Sequence, residues 1–400
     1  MLPDMPTQGR AGKLMIRASD DEKAMLDSAA EREGLPTATW ARSVLLKAVK
    51  SEQTVAALDG HGQRHQVDQS LQLLSLFSGP GGLDEGFRQA GFHTRIAFDI
   101  DEACIRTFNH NHRQHGSIAY RRDITELDAT SVRDLGGTGF RPIGVIGGPP
   151  CQSFSVSNVF QTDSDPRHSL PAVYARLLKA LNDDVPISFF LFENVPGLLG
   201  VKHRHRYEQF KELFAAAGFE ISEKLIDARD FNVPQQRERI FIVGINRELH
   251  PDVEWVWPNP RSRVRTVRDA ISRLPEPIYN EKGRSGSDIP FHPNHWSMVP
   301  RSKKFGTEGA LKEGQAWGRS FRTLSWDEPS WTVAYGNREV HVHPGGKRRL
   351  SIYEAMLLQS FPSDYVLTGN ISTQVRLVSE AVAPRVAFFL ALALRSCLGI

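Results

Sequence analysis

From Leu71 onward the sequence keeps a rhythm in which short apolar runs, at Leu71 to Phe77, Thr94 to Phe98, Gly144 to Ile146, Ser188 to Phe192 and Arg239 to Ile245, alternate with helical stretches. Near-continuous apolar strands separated by helices belong to a mostly parallel sheet covered on both faces. The spacing therefore predicts an α/β fold with a Rossmann-like sheet over residues 71–245. The rhythm stops after Ile245, where prolines, tryptophans and arginines take over to about Glu339, and a smaller irregular module is expected there. Helical periodicity returns over Ser351 to Leu358 and over Val378 to Leu398, so that residues 340–400 are expected to pack back on the sheet domain. At 400 residues the chain exceeds what one hydrophobic core usually serves, which fits this division into domains.

Before the rhythm begins, Lys13 to Ala18 alternate with period two, Ser19 and Glu22 make a capping box, and Met25, Leu26, Ala29 and Ala30 recur at helical spacing up to Gly34. A second helix starts near Thr37 and carries Trp40, Val44, Leu45 and Ala48. Residues 1–50 thus read as a β-α-α unit, and the polar stretch at 51–70 as a linker. So small a unit buries little surface alone, so either a dimer or docking onto the rest of the chain is expected.

The composition is that of an ordinary globular protein, 40% hydrophobic and 24% charged. The sequence shows no run resembling the ~20 apolar residues of a membrane span and no signal-peptide core near Met1, so a cytoplasmic protein is expected. The three cysteines, Cys104, Cys151 and Cys397, are too scattered for a disulfide framework or a zinc site. A net charge of +3 is weak, so a nucleic-acid reading needs basic residues gathered in one region.

Ser78-Gly79-Pro80-Gly81-Gly82 is a glycine-rich turn between the first strand and a helix opening at Leu83, where backbone can approach a ligand. It lacks the Gly-Lys-Ser/Thr of a phosphate loop, and Asp84 stands where a dinucleotide site needs its third glycine. An adenosine ligand without a buried pyrophosphate fits better. Asp99 and Asp101 follow the next strand and are either acceptors for ribose hydroxyls or a solvated strand end. Gly147-Gly148-Pro149-Pro150-Cys151-Gln152-Ser153 places a thiol in a rigid loop just past a strand. Apolar packing gives no reason for paired prolines before the thiol and polar residues after it. A thiol at its ordinary pKa of ~8.5 needs neighbouring positive charge to act as a nucleophile.

With these segments in view, the chain from Leu71 to its end resembles the cytosine-C5 DNA methyltransferase family. Phe77-Ser78-Gly79-Pro80-Gly81-Gly82 is similar to its S-adenosylmethionine loop, Asp99 and Asp101 to its ribose carboxylate motif, and Arg122-Asp123-Ile124 to its third motif. Pro150-Cys151-Gln152 resembles the nucleophile loop, Glu193-Asn194-Val195 the Glu-Asn-Val motif, Gln235-Gln236-Arg237-Glu238-Arg239 the Gln-x-Arg-x-Arg motif, and Arg349 to Pro362 the ninth. In two places the chain departs: Ser75 stands where many members carry aspartate, and Ser379-Glu380 where Gly-Asn is usual. The resemblance implies S-adenosylmethionine as cofactor, held by Phe77, Gly79, Gly81, Gly82, Asp99, Asp123 and Pro150, with no metal.

For the chemistry, cytosine C5 becomes nucleophilic enough only after a nucleophile adds at C6, and Cys151 is the candidate. Charge then moves toward N3, where Glu193 can donate a proton if its pKa is raised, with Asn194 holding the carboxylate's loop. The resemblance implies that Arg239, with Arg237 beside it, orients the pyrimidine O2 and the thiolate loop. An alternative for these arginines is a structural salt bridge with Glu238. A base inside duplex DNA must be flipped out to be reached. The run Val201-Lys202-His203-Arg204-His205-Arg206 is either a phosphate contact or a solvated loop, and target recognition is expected in the arginine-rich module at 246–339. Gln235 is a further DNA-contact candidate. The N-terminal unit resembles a ribbon-helix-helix dimer in which Lys13, Met15 and Arg17 face the major groove, and this homodimer could act as an autoregulator. The expected partners are double-stranded DNA and a cognate restriction endonuclease sharing the site. The competing functions are methylation of tRNA and a DNA-binding regulator without turnover.

Overall fold

The computed structural model describes residues 71–150 and 169–400, apart from 282, 284–285, 319–320 and 333–339, together with Lys23, Asp27 and Thr37. The chain divides into Met1–Gln66 and Val67–Ile400. The expected N-terminal strand, with Lys13, Met15 and Arg17, and the Cys151 loop lie outside the described residues.

Strands β1 (Gln72–Leu76), β2 (His93–Asp99), β3 (Ile118–Arg121), β4 (Gly144–Gly147) and β5 (Phe189–Asn194) pair in parallel in the order β3-β2-β1-β4-β5. Beyond β5 the direction reverses. A hairpin of β6 (Phe219–Asp227) and β7 (Glu238–Asn246) adds β7 antiparallel to β5, with β6 at the edge, completing a seven-stranded sheet. The α/β, mostly parallel expectation holds. Strands β3 and β6 were missing from the sequence reading because both are edge strands: β6 carries exposed Glu220, Glu223 and Lys224. A strand half in water has no continuous apolar run to betray it.

The central strands are buried on both faces, each face with its own core. Val145, Phe190, Phe192, Ile240 and Ile242 meet helices α4 (Leu170–Asp184) and α5 (Arg204–Ala216) through Tyr174, Leu178, Phe210 and Phe214. On the other face Ile146, Phe189, Leu191, Phe241 and Val243 meet α1 (Gly82–Gln89) and the C-terminal helix through Leu83, Phe87, Ala387 and Leu390. The periodic stretch expected as one helix over Val378–Leu398 is two, α8 (Ile371–Glu380) and α9 (Pro384–Leu398), counting α2 (Glu102–His112), α3 (Ala129–Gly136), α6 (Val267–Ile271) and α7 (Ile352–Leu358) before them. Pro384 at the first turn of α9 cannot continue a preceding helix. By length and composition alone Ile371–Leu398 would pass for a membrane span, contrary to the sequence reading, but 61% of its apolar 18-residue window is buried inside the protein.

A third core joins Val267, Ile271, Trp296 and Leu324 of the irregular module to Ile352, Met356, Val375 and Leu377, and reaches Ala103 and Cys104 at the start of α2. The irregular module and residues to about 381 therefore share one interior, and only α9 returns to the sheet. α7 starts with a reciprocal cap, Ser351 accepting from the Glu354 backbone and Glu354 from that of Ser351.

Where α1 crosses α9 the backbones nearly touch. A Cβ added at Gly86 would lie 2.3 Å from the Pro384 carbonyl oxygen and 2.4 Å from the Ala387 Cβ. In an exposed helix Gly→Ala stabilises by about 1 kcal/mol. Here overpacking reverses the sign, and Gly86→Ala should destabilise the protein by about 1–3 kcal/mol in urea unfolding; a stabilised variant would show that the two helices do not meet this closely.

Candidate active site

The strand order turns back on itself at β1, which has β2 on one side and β4 on the other. Ligands in open α/β sheets bind outside the carboxyl ends of strands at such a point. The sequence candidates collect there: the Phe77–Gly82 turn after β1, Asp99 closing β2, Gly148 to Pro150 after β4, and Glu193 and Asn194 closing β5. A parallel β7 would have started at the opposite edge. Because it runs antiparallel, its first residues, with Arg237 just before them and Arg239 within, arrive at this same edge.

The cofactor side is set by backbone conformation. Phe77, Gly79 and Gly81 all have positive φ, 53°, 56° and 90°, and Phe77 holds this conformation with a side chain in place, a strain typical of functional turns. The Ser78 N–H donates to the Phe98 carbonyl at 3.1 Å. Asp99 faces the turn: its Oδ2 accepts from the Gly79 N–H at 2.9 Å and its Oδ1 from the Asp101 N–H at 2.8 Å. A carboxylate has about four acceptor positions, so each oxygen keeps one for a further donor, as two ribose hydroxyls require. Among the described residues, apart from its chain neighbours, no atom lies within 4 Å of a Cβ placed on Gly79, which leaves room above the turn. Burial pushes the Asp99 carboxyl up, opposed by these backbone donors. Between the two aspartates Ile100 is 61% exposed, an apolar platform beside a ribose site that the sequence reading missed. Asp123 accepts from the Thr125 N–H at 2.9 Å and caps a short helix.

The C-terminal segment closes this pocket from the other side. Gly82 faces the Val382 carbonyl oxygen, which a Cβ would meet at 2.3 Å. Tyr365 donates to the Pro80 carbonyl, and its hydroxyl lies 3.1 Å from His112 Nε2. Asp101 caps α2 through the Ala103 N–H, and its Oδ2 lies 2.6 Å from Arg376 Nη2, whose Nη1 is 3.0 Å from Glu380 Oε2. Ser75, one of the two departures, is fully buried and faces the equally buried Asp84, whose carboxyl burial pushes up to about 6. An aspartate at 75 would confront a second carboxylate in the core.

At the catalytic side Glu193 is nearly out of water, and Arg239 Nε lies 3.0 Å from its Oε1. Burial raises the Glu193 carboxyl above the usual range, while the Arg239 and Arg237 guanidiniums pull it back. A Cβ on Gly148 would sit 2.8 Å from Glu193 Oε2, so a side chain there would displace the carboxylate. Asn194 donates through Nδ2 to the Pro149 carbonyl at 3.3 Å and accepts from the Val195 N–H at 2.9 Å. It thus ties the Glu193 strand to the loop that leads through Pro150 to Cys151.

The structure places the remaining candidates. Arg237 acts on the Glu193 carboxyl through its charge, and its Nη2 donates to the Ser379 and Ala381 carbonyls, 3.0 Å each, holding the C-terminal turn. Gln235 is fully buried and donates to Gln359 Oε1 at 3.3 Å. The alternative Glu238 salt bridge for Arg239 gives way to Glu193. In the irregular module the exposed Arg263 pairs with Asp269 and the exposed Arg268 with Asp327, both at 2.7 Å. Trp296 is core, its indole N–H donating to Gln374 Oε1 at 2.8 Å, whereas Trp317 is 54% exposed. Lys202, Arg204 and His205 of the basic run are exposed and His203 is buried.

Comparison with known proteins bears on this arrangement. The family model of C-5 cytosine-specific DNA methylases matches residues 71–396. The chain is similar to the Type II methyltransferase M.MthTI of Methanothermobacter thermautotrophicus, with 33% identity over 340 residues, 80% of this chain and 95% of that one. It is 31% identical to M.NmeDI of Neisseria meningitidis serogroup C over 82% of this chain and 84% of that one. Among solved structures, a DNA modification methyltransferase encoded within an E. coli prophage superposes with a TM-score of 0.70 at 24% identity, covering 82% of this chain and 100% of that one. The Dnmt2 methyltransferase of S. pombe does so with a TM-score of 0.57 at 19% identity, covering 82% and 99%. At these identities the two structures speak to the fold.

Proposed function

The chain belongs to the C-5 cytosine-specific DNA methylases, and from that premise we infer how its own residues carry out the reaction. It is a DNA cytosine-5 methyltransferase. The observation that carries the assignment of roles is the buried Glu193–Arg239 pair, set 3.0 Å apart beside the loop that leads to Cys151. Cys151 adds to C6 of a cytosine flipped from the duplex. Glu193, whose carboxyl burial raises, donates a hydrogen bond or proton at N3 as charge accumulates there. Arg239 keeps that carboxyl oriented and presents its remaining donors toward O2. Asn194 positions the nucleophile loop through Pro149, and Arg237 acts at one remove by clamping residues 379–381. S-adenosylmethionine, when bound, supplies the electrophilic methyl group for C5. The residues present fit it: Asp99 keeps two acceptor positions for the ribose, Ile100 offers an apolar platform, and the Phe77–Gly82 turn is open above Gly79. Water then takes the C5 proton as the C6–S bond breaks, which re-forms the C5–C6 double bond, expels the Cys151 thiolate and releases the methylated base.

The family description favours DNA over tRNA as substrate, and Glu380 does not favour the regulator reading, because its charge is met by Arg376. Similarity to Type II methyltransferases supports a place beside a restriction endonuclease of the same specificity, in the cytoplasm where the DNA is. We assign residues 1–50 to a DNA-binding dimer that regulates expression.

Tritiated methyl transfer to duplex DNA and to tRNA, with bisulfite mapping, tests the activity: the product should be 5-methylcytosine in DNA at one short sequence. Cys151→Ser should abolish transfer while still binding S-adenosylmethionine, and only the wild type should form a covalent adduct with 5-fluorocytosine DNA. Turnover in the variant would remove the nucleophile assignment. Glu193→Gln keeps the hydrogen-bonding shape without the acid, and kcat should fall about 10²- to 10⁴-fold; a change under threefold would exclude the acid role. Deleting residues 1–60 should leave an active monomer that no longer binds its operator, and sedimentation of the full chain as a monomer at micromolar concentration would contradict the dimer.

A further inference from the structure

The cofactor cleft has two walls from distant parts of the chain. One is the turn between β2 and α2, with Asp99 and Asp101; the other is the end of α8 and the turn after it, with Glu380, Ala381 and Val382. Apolar packing brings them together, since Ala103 and Cys104 of α2 share a core with Val375, Leu377, Val378 and Ala381. At the solvent edge of that packing one guanidinium spans the gap. Arg376 Nη2 lies 2.6 Å from Asp101 Oδ2 and Nη1 3.0 Å from Glu380 Oε2. Asp99 and Asp101 both act on the Glu380 carboxyl, so the charges form one group.

We propose that Arg376 is a positioning residue for the cofactor: it straps the ribose turn at Asp101 to the C-terminal wall at Glu380, and it is what allows a carboxylate at 380 beside Asp99 and Asp101. The inference rests on the S-adenosylmethionine reading of the cleft. Without Arg376, three carboxylates, Asp99, Asp101 and Glu380, would face one another in a partly buried cleft, and like charges there repel. Asp101 also caps α2, so loosening it disturbs the N–H that holds Asp99 Oδ1. The strap therefore acts on the acceptor for the ribose without touching the cofactor's reacting end. Glu380 and Arg376 form a compensated pair, and each is expected to be harmful without the other.

The test is a double-mutant cycle read by calorimetry of S-adenosylmethionine and S-adenosylhomocysteine binding to the full-length protein. Arg376→Leu should weaken both ligands about tenfold, within the range of coupled neighbours, and should raise KM for S-adenosylmethionine while leaving kcat near the wild-type value. Adding Glu380→Asn should recover several-fold of that loss. The two ligands differ at sulfur, so equal weakening separates a positional role from recognition of the methyl-bearing group. Should Arg376→Leu not fold, Arg376→Lys, which keeps the charge but cannot fork to both carboxylates, should weaken binding about threefold. Binding within twofold of wild type in the folded variant, or no recovery in the double variant, would overturn the proposal. Wild-type protein that binds neither ligand would instead overturn the cofactor reading itself.

Discussion

Glu193 and Arg239 are oppositely charged, almost dry, and drawn from strands that run in opposite directions. Isolating either group at the sheet edge would leave an uncompensated buried charge, which costs several kcal/mol. The pair forms only in one register. Glu193 lies on the same face of β5 as Phe189 and Leu191, and Arg239 on the same face of β7 as Phe241 and Val243, with Glu193 opposite Phe241. A slip of one residue would turn Arg239 to the other face and Phe241 with it. The hydrophobic alternation that buries β7 between two cores thus also fixes the catalytic geometry. The edge strand β6 has a related function: it covers β7, so that the antiparallel strand is central and its register enforced on both sides.

A second constraint comes from the end of the chain. The glycine-rich turn is held by Tyr365, the turn after α8 by Arg237 and Gln359, and α1 by α9. None of these contacts is local. The pocket that the early part of the sequence suggests is complete only when residues 352–398 have returned to it, which places site formation late among non-local contacts. Gln235 and Arg237 of the Gln-x-Arg-x-Arg segment meet this closing segment, while Arg239 pairs with Glu193.

Much of this was legible in the sequence because strands and turns that carry ligands have strong local signatures. Five apolar runs gave the central strands, and in the glycine-rich turn Gly79 and Gly81 have positive φ while Gly82 meets the Val382 backbone. Reading failed where a signal depends on partners distant in sequence. Arg237 and Arg239 share a residue type and lie two positions apart on one strand segment, yet one meets carbonyls of the C-terminal turn and the other a carboxylate. Gln235 is polar and falls in a motif, but its burial against Gln359 has no local signature. The break between α8 and α9 did have one: Pro384 sits inside an otherwise unbroken apolar pattern, and its missing N–H should have outweighed the periodicity.

The irregular module shows why composition alone is a poor guide to a nucleic-acid surface. Its strands are only two residues long, Ile278–Tyr279, Trp296–Ser297, Ala316–Trp317 and Phe321–Arg322, so backbone ladders contribute little to its cohesion. Side chains take over that role. Arg348, buried, donates to both oxygens of Glu354 at 2.9 and 3.0 Å and also pairs with Glu276, while Arg263 and Arg268 pair with Asp269 and Asp327. Arginine suits this use because its planar fork matches a carboxylate bidentately. Some of the arginines that pointed to DNA are therefore engaged with carboxylates of the chain itself. What the scaffold presents outward is a short hairpin turning at Gly318, with Trp317 exposed and the Lys304 ammonium 5.1 Å from its ring centre.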